Sequence, residues 1–327
     1  MIPLTAQYSD QILRKKFATI VAKYPFDRRI YINAFTKLFC ARYQLADGLC
    51  VSSGTNALIM TLQALRIKSG DAVLVPAYTC KAILDALVLL QLRPVFADNY
   101  LDYKNSDFNL DEVDVKKQLT TAKVKAIILP YMFGKIHRYQ TLFSLNIPII
   151  EDVTLALGVS LPPLPGDRRR IVVASFFTTK VISAVEGGII ATDDLVLMEQ
   201  LRRISNVDET NRQERRKKAT EIHYELAFSF RPSELDFVWG LLQFEQLDHF
   251  IAERQRLARH YIKNLNADFY DLPDFDDQNI YFRFMVGLRR GGVVNILSWL
   301  AEQGIEGGRG VYPLLTTYFG AQRRWLP

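Results

Sequence analysis

The sequence predicts an α/β protein with a large domain, built on a mainly parallel seven-stranded sheet flanked by helices, and a smaller C-terminal α/β domain. The first observation is that seven apolar runs rich in Val, Ile and Leu alternate with helical patterns between residues 49 and 192. Such runs are typical of parallel strands whose two faces are both covered. The second observation is a change after residue 205 to a polar stretch and a long helical pattern. We therefore expect a large domain with an N-terminal helical arm over 1–205 and a second region over 206–327.

The elements follow one another in a regular order. Strands are predicted over 49–53, 72–77, 93–98, 125–131, 147–152, 171–177 and 187–192. Helices are predicted between them over 56–65, 79–91, 110–119 and 138–145. The second region is predicted to hold a basic loop over 207–218, a long linking helix over 233–265, a strand over 281–288, a helix over 293–303 and a turn-rich segment over 304–315.

The charge balance is mildly basic, with 41 Lys and Arg against 35 Asp and Glu and a formal net charge of +6. The basic residues cluster at 168–170, 212–218, 289–290 and 323–324. Such clusters attract phosphates, although solvated surface loops are their commoner setting. No nucleic-acid-binding motif accompanies them, so we expect no nucleic-acid partner.

Composition also bears on location and metals. Three cysteines without CxxC spacing form no disulfide framework and fit a reducing compartment. The N-terminus lacks the apolar stretch of a secretory signal, and no apolar run has the length of a membrane span. The four histidines show no metal-ligand spacing. We expect a cytoplasmic protein with no metal and no membrane span.

The residues that follow the predicted strands point to chemistry, because ligands of open parallel sheets bind beyond the carboxyl ends of the strands. The first strand is followed by SSGTNAL, where Ser53, Gly54 and Thr55 open a helix. Backbone N–H groups at a helix start, together with hydroxyls, suit a phosphate. The alternative is an ordinary N-cap by Ser53 or Thr55.

The fifth strand ends at Asp152, and the sixth leads through Ser175 to Lys180. Each residue alone is unremarkable, but a phosphate cradle, a carboxylate and a lysine at one sheet edge are what pyridoxal 5′-phosphate (PLP) requires. The lysine amine forms a Schiff base with the aldehyde, and the carboxylate keeps the pyridine nitrogen protonated. The sequence therefore predicts a PLP site with Lys180 and Asp152 as catalytic residues.

The order and spacing of several segments resemble the DegT/DnrJ/StrS-type sugar-nucleotide aminotransferase family, of the aspartate-aminotransferase fold (PLP-dependent transferase fold). These segments are SSGTNAL (52–58), GDAVLVPAYTCKAILDALVLLQLRPVFAD (70–98), FNLDEVDVKKQLTTAKVKAIILPYMFG (108–134), EDVTLALG (151–158), SFFTTKVISAVEGGIIAT (175–192), FSFRPSELDFVWGLLQFEQLDHFIAERQRLARHY (228–261) and GIEGGRGVYPLL (304–315). The resemblance identifies Lys180 as the Schiff-base lysine, Asp152 as the partner of the pyridine nitrogen and Ser175 as a phosphate contact.

The resemblance also implies an activity: transfer of an amino group from an amino acid such as glutamate to a nucleotide-linked keto-sugar, in amino-sugar or cell-surface glycan biosynthesis. Freed Lys180 would act as general acid and base. The resemblance further implies a homodimer with shared active sites, in which Ser229 and Arg231 serve the neighbour's cofactor.

Four positions depart from the family pattern. Cys80 stands where an aromatic ring usually stacks on the cofactor, Leu155 at a cofactor-contacting position where Gln or His is usual, Leu157 where a polar residue is common, and Ser229 where an asparagine reaches the phosphate. These departures leave two alternatives open. One is a PLP enzyme that acts on a non-sugar ketone or by elimination, and the other is a non-catalytic PLP-fold protein. The intact pair of Lys180 and Asp152 argues against the second alternative.

Four further residues are predicted to contact substrate: Tyr131, Glu186, Arg231 and Tyr312. Each has a structural alternative. The two tyrosines can serve packing, Glu186 can belong to a tight turn before the two glycines that follow it, and Arg231 can pair with Glu234 or a nearby carboxylate.

Overall fold

A computed structural model describes residues 9–24, 29–139, 141–205, 229–311 and 313–322. The strands are β1 Asp47–Val51, β2 Ala72–Pro76, β3 Arg93–Ala97, β4 Val124–Pro130, β5 Ile149–Asp152, β6 Ile171–Ser175, β7 Gly188–Thr192, β8 Tyr270–Asp271 and β9 Gly287–Leu288. The helices are α1 Gln11–Lys23, α2 Ile30–Tyr43, α3 Gly54–Ala64, α4 Lys81–Leu89, α5 Glu112–Thr121, α6 Leu195–Ser205, α7 Glu234–Phe244, α8 Leu247–Asn264, α9 Val293–Glu302 and α10 Leu315–Gln322.

The first seven strands form one sheet in the order β1-β7-β6-β5-β4-β2-β3. Strand β7 is antiparallel to both of its neighbours, and the other pairs are parallel. Because β7 runs the opposite way, its first residue, Gly188, lies beside Val51 and Ser175 at the carboxyl ends of β1 and β6. The predicted mainly parallel, seven-stranded sheet is confirmed.

Both faces of this sheet are covered, as the continuous apolar runs predict. Alternate residues of a strand point to opposite faces, so Ile127 and Val172 join one core cluster while Ile128 and Val173 join the other. Helices α2, α7 and α8 contribute to the first cluster, and α3, α4 and α6 to the second. Both faces of the sheet are therefore buried, and the loops that follow the parallel strands lie at the carboxyl ends of those strands.

The predicted helix over 138–145 is wrong. Of the described residues in this range, only Leu142–Ser144 is helical, as a short 3₁₀ turn. The buried carboxylate of Glu112 accepts hydrogen bonds from the amide and hydroxyl of Thr141 and from the amide of Leu142, at 2.6, 2.8 and 2.6 Å. A side chain on α5 thus binds donors that would otherwise start an α-helix, which is a contact that local sequence does not reveal.

Predictions for the second region hold in part. The long helix over 233–265 is two helices, because the Gln246 amide bonds the Gln243 carbonyl three residues earlier and tightens the turn between α7 and α8. The strand over 281–288 is reduced to β9, and Tyr281 interrupts it with a left-handed φ of 48°. Helix α9 confirms the prediction over 293–303, whereas α10 begins where a turn-rich segment was expected.

Two expectations remain predictions after this description. The basic loop over 207–218 lies outside the described residues. The division into 1–205 and 206–327 also stays a prediction. Within the described part of the chain, every helix is too short or too polar to cross a membrane.

Candidate active site

Three residues with hydroxyl groups, Ser52, Ser53 and Thr55, lie at the start of helix α3. Ser53 is the N-cap, and its Oγ accepts a hydrogen bond from the Asn56 amide at 3.1 Å. The Oγ of Ser52 accepts from Asn56 Nδ2 at 2.8 Å. The N-cap alternative is therefore observed, but it does not exclude a ligand. A serine hydroxyl that accepts a hydrogen bond keeps its own hydrogen to donate. The start of α3, including half-buried Thr55, therefore suits the binding of an anion.

Two glycines bring this helix start against the neighbouring strands. A Cβ on Gly54 would lie 2.6 Å from the Cβ of Ser175, which ends β6. A Cβ on Gly188 would lie 2.4 Å from the backbone carbonyl group of Ser53. Only glycine permits these approaches. The start of α3 and the end of β6, both predicted to hold a phosphate, therefore meet at one place, with the start of β7 packed against them.

Asp152 ends β5 and is 7% exposed. Its Oδ1 accepts from the Thr154 amide at 2.9 Å, and the Thr154 hydroxyl also bonds the carboxylate. Burial raises the pKa of Asp152 above its usual range, while the Thr154 bonds and the charge of Lys180 oppose the rise. A buried carboxylate at this place suits a positively charged ligand atom.

Lys180 lies in the turn after β6, where its amide bonds the Phe177 carbonyl at 2.9 Å. Its half-buried side chain acts electrostatically on both Asp152 and Cys80. Cys80 is the N-cap residue of α4, after β2. Burial raises the pKa of the Cys80 thiol, the Asp152 charge raises it further, and Lys180 opposes both. The structure thus brings Asp152, Lys180 and Cys80 together at the sheet edge.

The residues present fit PLP by the chemistry of their donor set. Serine hydroxyls and the first amides of α3 suit its phosphate, a buried carboxylate suits its protonated ring nitrogen, and a lysine amine suits its aldehyde. The Ser175 hydroxyl, which accepts from the Phe177 amide at 3.4 Å, keeps its hydrogen as Ser53 does. Leu155 is half-buried against the first core cluster, so the structure leaves its predicted contact with the cofactor untested.

The segment before α7 approaches the helix start from another side. The Phe230 carbonyl accepts from the Ser52 amide at 2.9 Å, which places Ser229 and Arg231 beside it, both exposed. Arg231 Nη2 donates to Ser229 Oγ at 3.5 Å. Within the described ranges no carboxylate forms an ion pair with Arg231, and Glu234 instead accepts from the Tyr31 amide at 2.6 Å.

Glu186 is exposed on the loop between β6 and β7. Val185 before it adopts a left-handed φ of 63°, which is strained for a β-branched residue. The Glu186 amide bonds the Ala184 carbonyl at 2.7 Å, so the residue belongs to a tight turn. Its charge also adds to the rise that burial causes in the pKa of Asp236 on α7. The carboxylate thus faces the start of α7, and a substrate contact stays a prediction.

Tyr131 is fully buried, and its hydroxyl donates to Glu151 Oε1 at 2.6 Å. The other carboxylate oxygen of Glu151 lies 3.3 Å from Arg170 Nε. These contacts account for the burial of Tyr131 and support the packing alternative, while its contact with substrate stays a prediction. Tyr312 lies outside the described residues.

Sequence reasoning missed two residues at this edge. Thr154 contacts Asp152 on one side and accepts from the Ser175 amide at 2.9 Å on the other. Tyr78 follows β2, and its hydroxyl accepts from the Val311 amide at 3.2 Å, which ties the C-terminal segment to the site. Both stand just beyond strand ends, so the rule that found Lys180 and Asp152 would also have pointed to them.

Comparison with known proteins identifies the family to which the chain belongs. The model of the DegT/DnrJ/EryC1/StrS aminotransferase family matches residues 14–319. The chain belongs to this family. The resemblance carried by the sequence segments is thereby confirmed.

Two curated relatives of this chain are named GDP-perosamine synthase. The protein of Escherichia coli O157:H7 is 29% identical over 243 residues, which cover 72% of this chain and 64% of the relative. The protein of Caulobacter vibrioides is 28% identical over 242 residues, which cover 72% of this chain and 62% of the relative. The chain therefore spans less than two thirds of the length of these curated relatives.

Among solved structures, E. coli GDP-4-keto-6-deoxy-D-mannose-3-dehydratase with bound hydrated PLP resembles the chain with a TM-score of 0.82. The two are 20% identical, and the match covers 99% of this chain and 88% of the other. This likeness shows that the DegT/DnrJ/EryC1/StrS family member has the fold of a PLP-binding protein, as its sequence predicts.

Proposed function

We propose that the chain is a PLP-dependent aminotransferase that transfers an amino group from an amino acid such as glutamate to a nucleotide-linked keto-sugar. The observation that carries the proposal is the meeting of Lys180, Asp152 and the serine-rich start of α3 at one sheet edge. Family membership and two relatives named GDP-perosamine synthase support the substrate class. The activity belongs to amino-sugar or cell-surface glycan biosynthesis, and we expect it in the cytoplasm.

Each residue has a distinct role in this proposal. Ser53, Gly54, Thr55 and Ser175 hold the phosphate through hydroxyls and backbone amides. Asp152 holds a proton on the ring nitrogen of PLP, which when bound supplies an electron sink for the donor's α-carbon. Lys180 anchors the aldehyde carbon and, once displaced by the donor, carries the proton taken from that α-carbon. The donor leaves as its 2-oxo acid, and the keto carbon of the sugar ends as an amine.

We further propose a homodimer with shared sites. Ser229 and Arg231 are exposed yet adjacent through Phe230 to the start of α3, where they suit a phosphate or diphosphate near a subunit boundary. Sedimentation equilibrium of the purified chain tests this part, and a monomer at all measurable concentrations would refute it.

Exposed apolar side chains flank the same edge and support a partner surface. Phe177 and Val185 on the loop between β6 and β7 are 42% and 46% exposed, and Leu235 on α7 is 37% exposed. That loop packs on α7, since a Cβ on Gly187 would lie 3.1 Å from the Phe237 ring. A rim of exposed apolar groups beside a site marks a surface for association.

The experiment that tests the reaction supplies PLP and glutamate, then a nucleotide-linked 4-keto-6-deoxyhexose, and identifies the product by mass spectrometry. We expect an aminated sugar and 2-oxoglutarate in equal amounts. Lys180→Ala should yield neither, while Lys116→Ala, a change of an exposed lysine on α5, should behave as wild type.

A second candidate, action on a non-sugar ketone or by elimination, is favoured by one observation. Leu157 is 1% exposed and Leu155 half-buried, so the turn after Asp152 offers apolar groups where the family usually has polar ones. The same assay separates the candidates. A product that has lost one more hydroxyl group than the supplied keto-sugar and has gained no amino group would establish elimination, and turnover confined to small keto acids would establish a non-sugar substrate.

A further inference from the structure

Thr154 stands apart from the other buried polar residues of the sheet edge because it touches two functional segments at once. It is 8% exposed, in the turn directly after β5. Its amide donates to Asp152 Oδ1 at 2.9 Å, and its hydroxyl bonds the same carboxylate. Its Oγ1 also accepts from the Ser175 amide at 2.9 Å.

The Thr154 hydroxyl acts both as an acceptor and as a donor. The Ser175 amide occupies one lone pair of Oγ1, and the single hydroxyl hydrogen is then directed to the Asp152 carboxylate. A hydrogen bond donated to a carboxylate stabilises the ionised form. Thr154 therefore favours the charged state of Asp152 in a setting where burial disfavours it.

The second contact reaches the phosphate end of the site. Strands β5 and β6 pair as far as Asp152 and Val173, and the Thr154 side chain takes the Ser175 amide just beyond that pairing. Ser175 in turn lies against Gly54 at the start of α3. One threonine thus links the carboxylate to the hydroxyls of the proposed phosphate cradle.

We propose that Thr154 is a positioning residue that fixes Asp152, as a carboxylate, at a set distance from the Ser175–Gly54 cradle. The inference rests on the proposed function, since it assigns the two ends of this link to one ligand. Among the described residues, two other ionisable groups act electrostatically on Asp152 or are acted on by it: Lys180, on the loop after β6, and Cys80, at the start of α4. The hydrogen bond from the Ser175 amide goes to Thr154 and not to either of these two groups.

The test uses Thr154→Val, which keeps the shape and removes the hydroxyl, and Thr154→Ser, which keeps the hydroxyl. Thr192→Val is the matched control, because Thr192 is fully buried in the same sheet and its hydroxyl donates to the Arg170 carbonyl and accepts from the Asp194 amide. Thr192 lies at the other end of the strands, away from the proposed site, where the last residue of β7 pairs with the first residue of β6.

The first readout is PLP affinity, followed by absorbance against pH. A hydrogen bond to a charged group is worth enough that Thr154→Val should weaken PLP binding about tenfold or more. In that variant, the loss of affinity on acidification should begin at a higher pH than in wild type. Thr154→Ser and Thr192→Val should keep the wild-type pH profile.

The second readout needs no cofactor. The pKa of Asp152 is raised in the folded protein, so stability falls as the pH rises from the unfolded pKa through the folded one. Thr154→Val widens this window, and its loss in urea midpoint should be larger at about pH 8 than at about pH 4. In an Asp152→Asn background that pH dependence should vanish.

The outcomes separate the two claims. A wild type that binds no PLP refutes the proposed function but leaves the urea comparison valid. An equal, pH-independent loss in both backgrounds overturns the role of Thr154. Should Thr154→Val not fold, Thr154→Ala removes the same hydroxyl with a smaller side chain, and the same comparison decides.

Discussion

Asp152 shows at the residue scale how a site trades stability for chemistry. The carboxylate ends a buried strand, and burial raises its pKa although Thr154 and Lys180 favour its charge. Ionisation of Asp152 therefore lowers the free energy of unfolding, and the buried charge is kept available for binding a ligand. The sequence alone placed Asp152 and Lys180 at one edge, because the carboxyl ends of parallel strands meet there. It did not reveal the second contact of Thr154, with the Ser175 amide, because that contact depends on where the turn after β5 leads.

Asp152→Asn should separate the two effects. The amide keeps a hydrogen-bond acceptor for Thr154 but carries no charge, so the cofactor-free variant should be at least as stable as wild type at about pH 8. Because wild-type stability falls as pH rises through the raised pKa of Asp152, this advantage should shrink on acidification. Amino transfer should drop by about 100-fold or more, the usual cost of losing a site's electrostatic partner. Urea unfolding across pH and steady-state rates measure both, and lower stability at all pH values would contradict this account.

Element by element, the sheet was the most predictable part of the chain. Its strands are short, apolar and bounded by turns, and the predicted ranges match β1 to β7 to within a few residues. The failures lie where a distant side chain decides. Glu112 binds the donors of residues 141 and 142 in place of a helix, and a left-handed Tyr281 shortens the strand expected over 281–288. Local pattern carries no information about such contacts.

Helix α3 is the element on which the proposed phosphate site depends. Gly54→Ala would place a methyl group 2.6 Å from the Ser175 Cβ, so the helix start and β6 must move apart. We expect a loss of about 1–3 kcal/mol in the free energy of unfolding, typical of overpacking, together with weaker PLP binding.

The matched control for this change is Gly320→Ala on α10, where an added Cβ would meet nothing within 4 Å. It should be neutral or slightly stabilising, as expected for alanine replacing a helical glycine. Thermal unfolding and a PLP titration compare the two variants. Equal effects of both substitutions would show that the contact of Gly54 with Ser175 does not shape the site.

At the scale of the whole molecule, the sheet serves as a frame that gathers residues distant in sequence. Ser53, Asp152, Ser175 and Lys180 span almost 130 positions, yet three strand ends and one helix start bring them to one edge. The antiparallel β7 begins at that edge with Gly188, which lies against Ser53. The family model over 14–319 and the TM-score of 0.82 to a PLP-bound dehydratase agree with this architecture. Preference for one sugar over another is set by individual pocket contacts rather than by the fold.

The central claim is that Lys180 forms the covalent link to PLP, and one measurement tests it most directly. The purified chain is incubated with PLP, reduced with borohydride, digested and mapped by mass spectrometry, beside Lys180→Ala and Lys116→Ala. We predict a visible absorption band that borohydride removes, and a pyridoxyl group on the peptide that contains Lys180 in wild type and Lys116→Ala only. Labelling of another lysine, or equal labelling in Lys180→Ala, would contradict the account.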